Sequence, residues 1–493
     1  MEYLSVTKLS IIARYLFLKE NRITNVIVDG EVDMRIKRED TYDFVVCGGG
    51  MSGFAAAVSA ARKGLSVALI ERTGCLGGTA TSAGVNHLLG GRKINEETNE
   101  HVRVVGGLFD ELTDYLIKRG EAIEPNSIDL SFNAFGWYPR MASGVAFDEL
   151  ALKIALDEFC QNSGVRVYFN TVITDVEMEG KRIQSVIAYN KDGFIRLRAK
   201  AFCDCTGDGD ICSMSGNEML KGREEDGCMT PCSLEMHVEN VDTKELVTYQ
   251  NENQSPKLVE IIERLKQEGI WKFPYEIFVA IRMMKEDVFM VNTIRQIMVD
   301  GTSEESVSEA IAKGRKENVE LFNIMKEHFP GFKNAKIRRV FDYIGVRETR
   351  RLIGQYVVTV DDAMSGKKYD DCVAATTYNF DLPDPLKPSY DPMMGDAKRP
   401  NATRKHVVIR IPYRSLLPKE TENLILAGRC ISAEREVLGA IRVMGPCMMM
   451  GQAAGTAAAM AMKTGNFNQV NVKELQQELW NDGVLNPDKL PFE

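Results

Sequence analysis

The sequence of 493 residues lacks an apolar run of about 18 residues, the length at which a membrane-spanning helix becomes plausible. Its N-terminus lacks the apolar core of a secretory signal. It also lacks a local basic patch, and the net charge is −9. We therefore expect a cytoplasmic protein that has no membrane span, is not exported and binds no nucleic acid.

A cysteine framework is missing as well. The eleven cysteines contain no C-x-x-C motif and no regular spacing, which is typical of reduced thiols in the cytosol. Cys203, Cys205 and Cys212 are close enough in sequence to suggest a metal site, but buried structural thiols are the interpretation that we favour. No metal site is therefore predicted. The length allows two or three domains.

What the chain does contain is a complete dinucleotide fingerprint in residues 43–79. An apolar run at 44–47 leads into GGGMSG at 48–53, which fits G-x-G-x-x-G. A helical pattern follows and ends at Gly64, and a second apolar run, 67–70, ends on Glu71. This order predicts a strand, a tight turn, a helix and a second strand.

Each part of the fingerprint has a chemical reason. Gly48 permits a tight turn, Gly50 lets the backbone approach a pyrophosphate, and Gly53 lets helix and strand pack closely. The helix N-terminus offers free N–H groups to phosphates. Glu71 stands where a carboxylate can accept hydrogen bonds from both ribose hydroxyls. The segment therefore predicts a loop that binds the diphosphate of a dinucleotide.

Two later stretches extend this hypothesis. The glycine-dense residues 74–78 indicate backbone lying against something flat or charged, for which the same cofactor is the candidate. His87, just beyond, is open to three interpretations: a proton-transfer group, a covalent flavin anchor, or neither. Residues 343–351 concentrate Arg347, Arg350 and Arg351, either as a solvated or ion-paired face or as a clamp for a substrate carboxylate over the cofactor.

The remaining pattern predicts helices at 6–19, 106–120, 147–164, 243–268 and 303–328, and one that opens at Gly445 and Pro446. It predicts a hairpin at 25–36 and strands at 165–169, 171–176, 183–189, 407–411 and 423–429. Residues 369–400 are rich in proline and aspartate and are expected to form a long loop.

Several motifs in the same order resemble those of one known family. They are the fingerprint with Glu71, GGTAT at 77–81, CTGDGD at 205–210, GVRETRRLIG at 345–354, IPYRSLLP at 411–418, LAGRCIS at 426–432 and RVMGPCMMMGQAAGTAAAMA at 442–461. Over roughly residues 41–465 the chain resembles the FAD-dependent oxidoreductase family of the glutathione-reductase-like flavoproteins. More distantly it is similar to fumarate reductase and succinate dehydrogenase flavoprotein subunits.

The resemblance implies FAD as cofactor and an α/β fold: a Rossmann-type FAD-binding domain, three-layered around a parallel sheet, with an inserted α+β substrate or cap domain. The implied division is an N-terminal helix and hairpin appendage at 1–40, the FAD-binding domain at 41–210 and 406–465, the cap at 211–405 and a C-terminal tail at 466–493. The implied cofactor-binding residues are Gly48, Gly50, Met51, Ser52, Gly53, Glu71, Arg72, Gly77, Gly78, Thr79, Val172, Thr206, Gly207, Asp208, Gly428, Arg429, Gly445, Gly451 and Gln452.

Two departures from the family pattern matter. Family members often carry a histidine in a D-x-H step where this chain has YNFDLP at 378–383, so an acid–base role cannot be carried over to that loop. No histidine is placed as in the covalently flavinylated respiratory enzymes. We therefore expect dissociable FAD, with His87 as the residue to check.

The function that we predict is hydride transfer between non-covalently bound FAD and a small organic substrate bearing a carboxylate or hydroxyl group. Arg347, Arg350 and Arg414 are the candidate clamps or proton donors, and Tyr413 and His406 the candidate acid–base groups. Only one dinucleotide fingerprint is present, so electrons are expected to pass through the substrate, oxygen, a quinone or a separate carrier. The alternatives are a flavin-bearing subunit of a larger complex, a flavin-dependent protein of RNA modification, and binding of NAD(P) alone. Homo-oligomerisation is left open.

Overall fold

The computed structural model describes residues 27–28, 31–32, 36–95, 97–98, 100–127, 144–393, 395–396 and 407–492. The predicted helix at 6–19 and the candidate His406 lie outside these residues. Of the predicted hairpin, the strands Ile27–Val28 and Glu31–Val32 are described, and they pair in antiparallel fashion.

A seven-stranded sheet forms the centre of the fold. Its order is Val172–Glu179, Arg182–Asn190, Gly193–Asp204, Ile36–Cys47, Val67–Ile70 and Arg166–Tyr168, and Leu424–Leu426 pairs with the end of Gly193–Asp204. The first three strands of this order form an antiparallel meander. The others pair in parallel, as the strand–helix–strand pattern predicts. The α/β fold class is confirmed.

Two strands of this sheet differ from the prediction. The strand Ile36–Cys47 begins well before the apolar run at 44. Its first half is polar and partly exposed, and it forms a strand because it pairs with the meander strand Gly193–Asp204. Arg166–Tyr168 does not join the strands that follow it in sequence but lies at the opposite edge, beside Val67–Ile70. The chain turns away after it, with Asn170 at a φ of 50°. Hydrophobic periodicity detects the buried parts of strands, but it does not show which strands pair with each other.

Two helices cross in direct backbone contact beside the sheet. We call Met51–Arg62 the fingerprint helix and Met444–Ala461 the glycine-rich helix. A Cβ on Gly451 would lie 2.1 Å from the carbonyl oxygen of Ser52, and one on Gly455 would lie 2.2 Å from that of Ala56. Only glycine fits at such a crossing. The contact sets the N-terminal half of the glycine-rich helix beside the start of the fingerprint helix.

A second, smaller core belongs to the cap. Its antiparallel sheet has the order Ala280–Arg282, Phe289–Val291, Met236–Glu239 and Lys336–Val340. The helices Thr243–Glu252, Val259–Gln267 and Glu304–His328 accompany this sheet. Side chains of both, such as Val238, Ile262, Phe289 and Leu321, share one buried cluster that is separate from the core of the central sheet. Part of the predicted cap, such as Val358 and Val373, belongs instead to the core of the central sheet, so the bounds of the two domains stay a prediction.

Two elements predicted within residues 211–405 differ in the structure. The helix predicted at 243–268 is two helices, because Pro256 cannot continue a helix and Leu258 adopts a φ of 50°. The loop predicted at 369–400 contains the buried strand Cys372–Thr376, which pairs with Ile409–Pro412. Its two central alanines carry little strand signal, so tertiary pairing decides the conformation.

Smaller elements connect these layers. Further strands are His87–Leu88, Arg92–Ile94, His101–Arg103, Val145–Ala146, Met219–Lys221, Arg350–Leu352, Tyr390–Asp391 and Gly395–Asp396. Further helices are Gly107–Lys118, Glu149–Asn162, Asp210–Met214, Val360–Ser365, Leu438–Ile441 and Val472–Asn481, and short 3-10 helices span Gly78–Ala80, Pro125–Ser127, Tyr413–Leu416, Phe467–Gln469 and Pro487–Lys489. Among the helices described, none combines the length and apolar character that crossing a bilayer demands.

Candidate active site

The fingerprint loop is tight at two glycines and open at a third. Gly48 has a φ of +101°, and its N–H donates to the carbonyl of Ile70 at 2.8 Å. A Cβ on Gly53 would lie 1.8 Å from the oxygen of Gly48, so no side chain fits there. A Cβ on Gly50 would meet no protein atom within 4 Å. The space at Gly50, at the N-terminus of the fingerprint helix, is thus available to a ligand.

Glu71 is fixed where the strand Val67–Ile70 ends. Its Oε2 accepts a hydrogen bond from the N–H of Gly49 at 2.7 Å, and its Oε1 accepts one from the N–H of Thr73 at 2.7 Å. The side chain is buried yet lines the cleft described next. A carboxylate oxygen accepts more than one hydrogen bond, so Glu71 can still receive hydroxyl groups of a ligand.

A cleft runs from this loop along the ends of the parallel strands and contains about 1370 Å³ of empty space. Most of the cofactor-binding residues predicted from the sequence line it. They are Gly48, Gly50, Met51, Ser52, Glu71, Arg72, Gly77, Gly78, Thr79, Val172, Thr206, Gly207, Gly428 and Arg429. They come from distant parts of the chain and share one surface.

The other predicted cofactor residues lie behind that surface. Gly53 and Gly451 are packing positions, and a Cβ on Gly445 would lie 2.5 Å from the carbonyl carbon of Gly90. Gln452 accepts a hydrogen bond from the N–H of Leu108 at 2.9 Å and so caps another helix. These residues hold the glycine-rich helix in place and do not face the cleft.

Asp208 also stands behind the lining, where it positions Arg429. Its Oδ1 accepts hydrogen bonds from Nη2 of Arg429 at 2.7 Å and from the hydroxyl of Thr349 at 2.8 Å. Burial alone would favour the neutral acid, but the charge of Arg429 and these hydrogen bonds hold the pKa of Asp208 below its usual value. Asp208 therefore stays ionised and keeps the guanidinium at the cleft.

Sequence reasoning missed part of the lining. The additional residues are Ile70, Thr73, Ser82, Ala83, Thr171, Ile173, Cys205, Asp210, Tyr343, Ile344, Val346, Arg442 and Met444. Several flank residues that were predicted, such as Thr171 and Ile173 beside Val172. The segment 343–346 begins the arginine-rich stretch that the sequence places over the cofactor, and in the structure it forms one wall of the cleft.

A second cavity adjoins the cleft, and we call it the chamber. It is open to solvent on one side, has about 810 Å³ of empty space when that opening is included, and shares Thr79, Val346, Arg442 and Met444 with the cleft. One part of its lining is apolar: Val85, Leu89, Val279, Ile281, Met290 and Val443. The rest is polar or charged: Glu235, Asn292, Arg295, Arg347, Tyr378 and Asp381, with Gly345 between them. A small molecule in the chamber would therefore abut whatever occupies that end of the cleft.

The arginines of the chamber are held by neutral oxygens rather than by close ion pairs. Arg347 donates from Nη1 to the carbonyl of Pro231 at 2.7 Å and from Nη2 to Oδ1 of Asn292 at 3.2 Å. Arg442 donates from Nη2 to the carbonyl of Asp381 at 2.7 Å, and the two side chains are 3.7 Å apart. Burial first, and then repulsion by Arg295 and Arg442, lowers the pKa of Arg347. The chamber is thus an electropositive site for an anion.

The five catalytic candidates fall in different places. Arg347 lines the chamber. Arg350 is bonded to Asp210 at 2.8 Å beside the cleft, where Asp210 and not Arg350 contributes to the lining. Arg414 lies over the ring of Tyr356 at 4.7 Å on the surface, and Tyr413 is buried with its hydroxyl donated to the carbonyl of Phe467 at 3.0 Å. His406 lies outside the described residues. Of these candidates, Arg347 lies at the chamber, whereas Arg414 and Tyr413 line neither the chamber nor the cleft.

The two departures from the family pattern can also be located. The loop with YNFDLP supplies Tyr378 and Asp381 to the chamber, so the stretch without a histidine does face the site. His87 is buried in the strand His87–Leu88, and its side chain is not part of the cleft lining. Burial lowers the pKa of His87 to about 4, so the imidazole is neutral.

No group of three or more histidine, cysteine, aspartate or glutamate side chains in the described part of the chain has an arrangement suited to a metal ion. In the same part of the chain the cysteines are free thiols. Cys203 and Cys205 have their sulfur atoms 3.4 Å apart, and Cys205 and Cys447 reach the cleft.

Comparison with known proteins agrees with this geometry. A family model described as FAD dependent oxidoreductase matches residues 43–479. A dihydrolipoyl dehydrogenase of Trypanosoma brucei brucei is 51% identical over 43 residues, which is 9% of this chain and 9% of that protein. The chain thus matches less than a tenth of the length of that curated relative.

Among solved structures, a geranylgeranyl bacteriochlorophyll reductase-like protein from Thermoplasma acidophilum is similar over 90% of this chain and 84% of its own, at 13% identity and a TM-score of 0.44. The chondrochloren halogenase of a myxobacterium is similar over 89% and 78%, at 14% identity and a TM-score of 0.45. A p-nitrophenol 4-monooxygenase from Pseudomonas putida is similar over 89% and 84%, at 11% identity and a TM-score of 0.43.

Proposed function

Since the chain belongs to the FAD-dependent oxidoreductase family, we propose that this flavoenzyme transfers a hydride between non-covalently bound FAD and a small organic substrate held in the chamber. The substrate that we propose bears a carboxylate or a hydroxyl group. The observation that carries the proposal is the shared wall: Thr79, Val346, Arg442 and Met444 belong to both the cleft and the chamber. A substrate in the chamber would therefore lie against the cofactor.

The residues of the cleft fit FAD. The open space at Gly50 and the free end of the fingerprint helix suit a diphosphate, which gains from the helix dipole. Glu71 suits the ribose hydroxyls, and Arg72 and Arg429 add positive charge along the cleft. When bound, FAD supplies the capacity to accept or donate a hydride. The order of the family motifs further supports a place among the glutathione-reductase-like flavoproteins, distantly related to fumarate reductase.

The protein groups in the chamber would bind and orient the substrate. Arg347, anchored on Pro231 and Asn292, presents its guanidinium to the chamber and can pair with a carboxylate. The apolar wall formed by Leu89, Ile281, Met290 and their neighbours excludes water from the other side. Exclusion of water strengthens every charge interaction with the substrate.

The proposal is tested by anaerobic reoxidation of the reduced holoprotein. We expect that, after photoreduction under argon, at least one small carboxylic or hydroxylated acceptor restores the oxidised flavin spectrum faster than buffer alone does. If no acceptor reoxidises the reduced flavin and no carboxylic or hydroxylated donor reduces the oxidised flavin under argon, although the protein is fully loaded with FAD, hydride exchange with a small molecule is refuted. The chain would then be a flavin-bearing subunit that needs a separate partner.

We also expect the FAD to be released completely when the protein is denatured. Among the described residues that line the cleft there is no histidine, and burial raises the pKa of the Cys447 thiol to about 12, which suppresses its nucleophilic form. Acid precipitation should therefore leave all FAD in the supernatant, as measured by its fluorescence. His87→Ala should hold FAD in the same non-covalent way. A fluorescent band that stays with the chain in a denaturing gel would contradict this prediction.

A further inference from the structure

Glu235 is a buried carboxyl group in the chamber that the sequence did not single out. It precedes the cap strand Met236–Glu239, is 1% exposed and belongs to the lining of the chamber. Its Oε2 has no hydrogen-bond partner among the described residues. A buried polar atom without a partner is unusual in a folded protein and is costly unless something satisfies it.

Burial and the charged neighbours of Glu235 together determine whether it is protonated. Arg347, from the segment after the cap sheet, and Arg295, from the loop after Phe289–Val291, act on it directly. Asn292, Arg442, Asp381 and Tyr378 complete the polar side of the lining. Burial raises the pKa of Glu235 well above the ordinary 4.5, and the two arginines reduce this rise without abolishing it. Glu235 is thus disposed to hold a proton near neutral pH and to act as a hydrogen-bond donor.

Arg295 adds a second unsatisfied group. Its guanidinium lies over the ring of Tyr275 at 4.6 Å and donates to the Tyr275 hydroxyl at 3.3 Å, while its buried Nε has no partner among the described residues. The chamber thus holds an unsatisfied carboxyl oxygen and an unsatisfied guanidinium N–H as well as Arg347. A ligand carboxylate can accept hydrogen bonds from all of these groups if Glu235 is neutral.

The remaining lining decides what the carboxylate is attached to. Leu89, Val279, Ile281, Met290 and Val443 belong to one buried apolar cluster that borders the chamber. A hydrocarbon chain or ring is stabilised there because its surface is removed from water. A ligand with a charged group at both ends would leave one of them against these side chains, which is costly.

We propose that the chamber takes a compact carboxylate with an apolar body, and that neutral Glu235 donates its proton in a hydrogen bond to that carboxylate, beside Arg347 and Arg295. This inference rests on the proposed function for the identification of the ligand as the substrate. Glu235 is a binding residue in this account, and no bond is broken. The ligand therefore binds only when Glu235 is protonated. Where Glu235 is ionised in the free protein, binding of the ligand requires the uptake of one proton by Glu235.

Because the ligand binds only when Glu235 is protonated, its affinity for the chamber should decrease as the pH rises. Above the pKa of Glu235 in the free protein, the competent neutral form becomes rarer, so the Kd rises by about tenfold for each pH unit. Below that pKa the Kd is constant. Glu235→Gln carries an amide that donates a hydrogen bond at every pH, and it should bind without this dependence.

The experiment uses the FAD-loaded protein and benzoate as the ligand, which stays ionised throughout, with calorimetric titration from about pH 6 to about pH 9. For the wild type we expect the Kd to increase by at least about tenfold over this range. Glu235→Gln should bind benzoate with a Kd that changes less than about twofold over the range, and Glu235→Ala should bind more weakly than Gln at low pH. Glu239→Gln, on the same cap strand but outside the chamber lining, should reproduce the wild-type profile.

The possible failures are distinguishable. A wild-type Kd that does not vary with pH, or a Glu235→Gln profile equal to the wild-type one, overturns the role of Glu235. Absence of binding of benzoate, cyclohexanecarboxylate and hexanoate alike overturns the ligand class. Neither result touches hydride transfer, which the anaerobic reoxidation experiment decides by itself. Loss of FAD from the Gln variant would show a structural role and would also overturn the inference.

Discussion

Replacing Gly50 by valine is expected to give a folded protein that no longer holds FAD. Gly50 has an extended backbone, with φ −66° and ψ −178°, which valine also adopts, and a Cβ there would meet no protein atom within 4 Å. The added atoms would instead fill the part of the cleft at the start of the fingerprint helix. We expect the Kd for FAD to rise by at least about 100-fold, or about 2.7 kcal/mol, in a fluorescence titration of the apoprotein.

Gly53→Ala is the matched control, because the two glycines belong to one motif and differ in what surrounds them. The new Cβ would lie 1.8 Å from the oxygen of Gly48, inside the protein. It should lower the unfolding free energy by about 3 kcal/mol or more, whereas Gly50→Val should leave the thermal unfolding of the apoprotein nearly unchanged. Native FAD affinity in Gly50→Val would show that the diphosphate does not bind at this loop.

The contrast between these glycines shows why the cofactor site was predictable from sequence. The strand, turn, helix and second strand are consecutive, and the structure confirms them as Ile36–Cys47, Met51–Arg62 and Val67–Ile70 around the predicted glycines. Local backbone geometry requires glycine at these positions and an acidic residue after the second strand. The whole pattern therefore falls within a segment of about 20 residues and can be recognised from sequence. The family resemblance, by contrast, implied Gly451 and Gln452 as cofactor-binding residues, although they pack against Ser52 and Leu108.

The chamber, by contrast, could not be derived from the sequence. Its lining comes from residues 79–89, the strands of the cap sheet and the residues that flank them, the segment at 345–347, the loop at 378–381 and the start of the glycine-rich helix. Glu235 stands just before a short strand and Arg295 lies in a loop, and neither belongs to a spacing pattern that distinguishes it from other polar residues. Only the packing of cap on sheet brings them together, and local periodicity contains no information about that packing.

Arg414 illustrates how a motif can point to the wrong surface. It was chosen because it lies in IPYRSLLP, close in sequence to the returning strand Ile409–Pro412. In the structure it is stacked on Tyr356 and lies 3.6 Å from Asp371, with 45% of the side chain exposed. Arg414 therefore lies on an ion-paired surface, and the prediction that it clamps a substrate has no support from its position.

Replacing Arg347 by alanine is expected to abolish most of the turnover of a carboxylate substrate while leaving the flavin bound. Arg347 lines the chamber and not the cleft, so its loss removes the partner of the substrate rather than a contact of the cofactor. Truncating one member of a buried charge pair costs about 2–5 kcal/mol. We therefore expect kcat/KM to fall by about 100-fold to 1000-fold, with unchanged FAD content.

Arg414→Ala is the control of equal size, and its kcat/KM should stay within about twofold of the wild type because surface ion pairs contribute little. Arg347→Lys should recover only part of the loss, since an ammonium cannot hold Pro231, Asn292 and a carboxylate in the same planar arrangement. A neutral, hydroxyl-bearing substrate should be affected less by Arg347→Ala than a carboxylate is. If Arg347→Ala and Arg414→Ala retain the same activity on the carboxylate, Arg347 does not bind it, and the electropositive character of the chamber must serve another group.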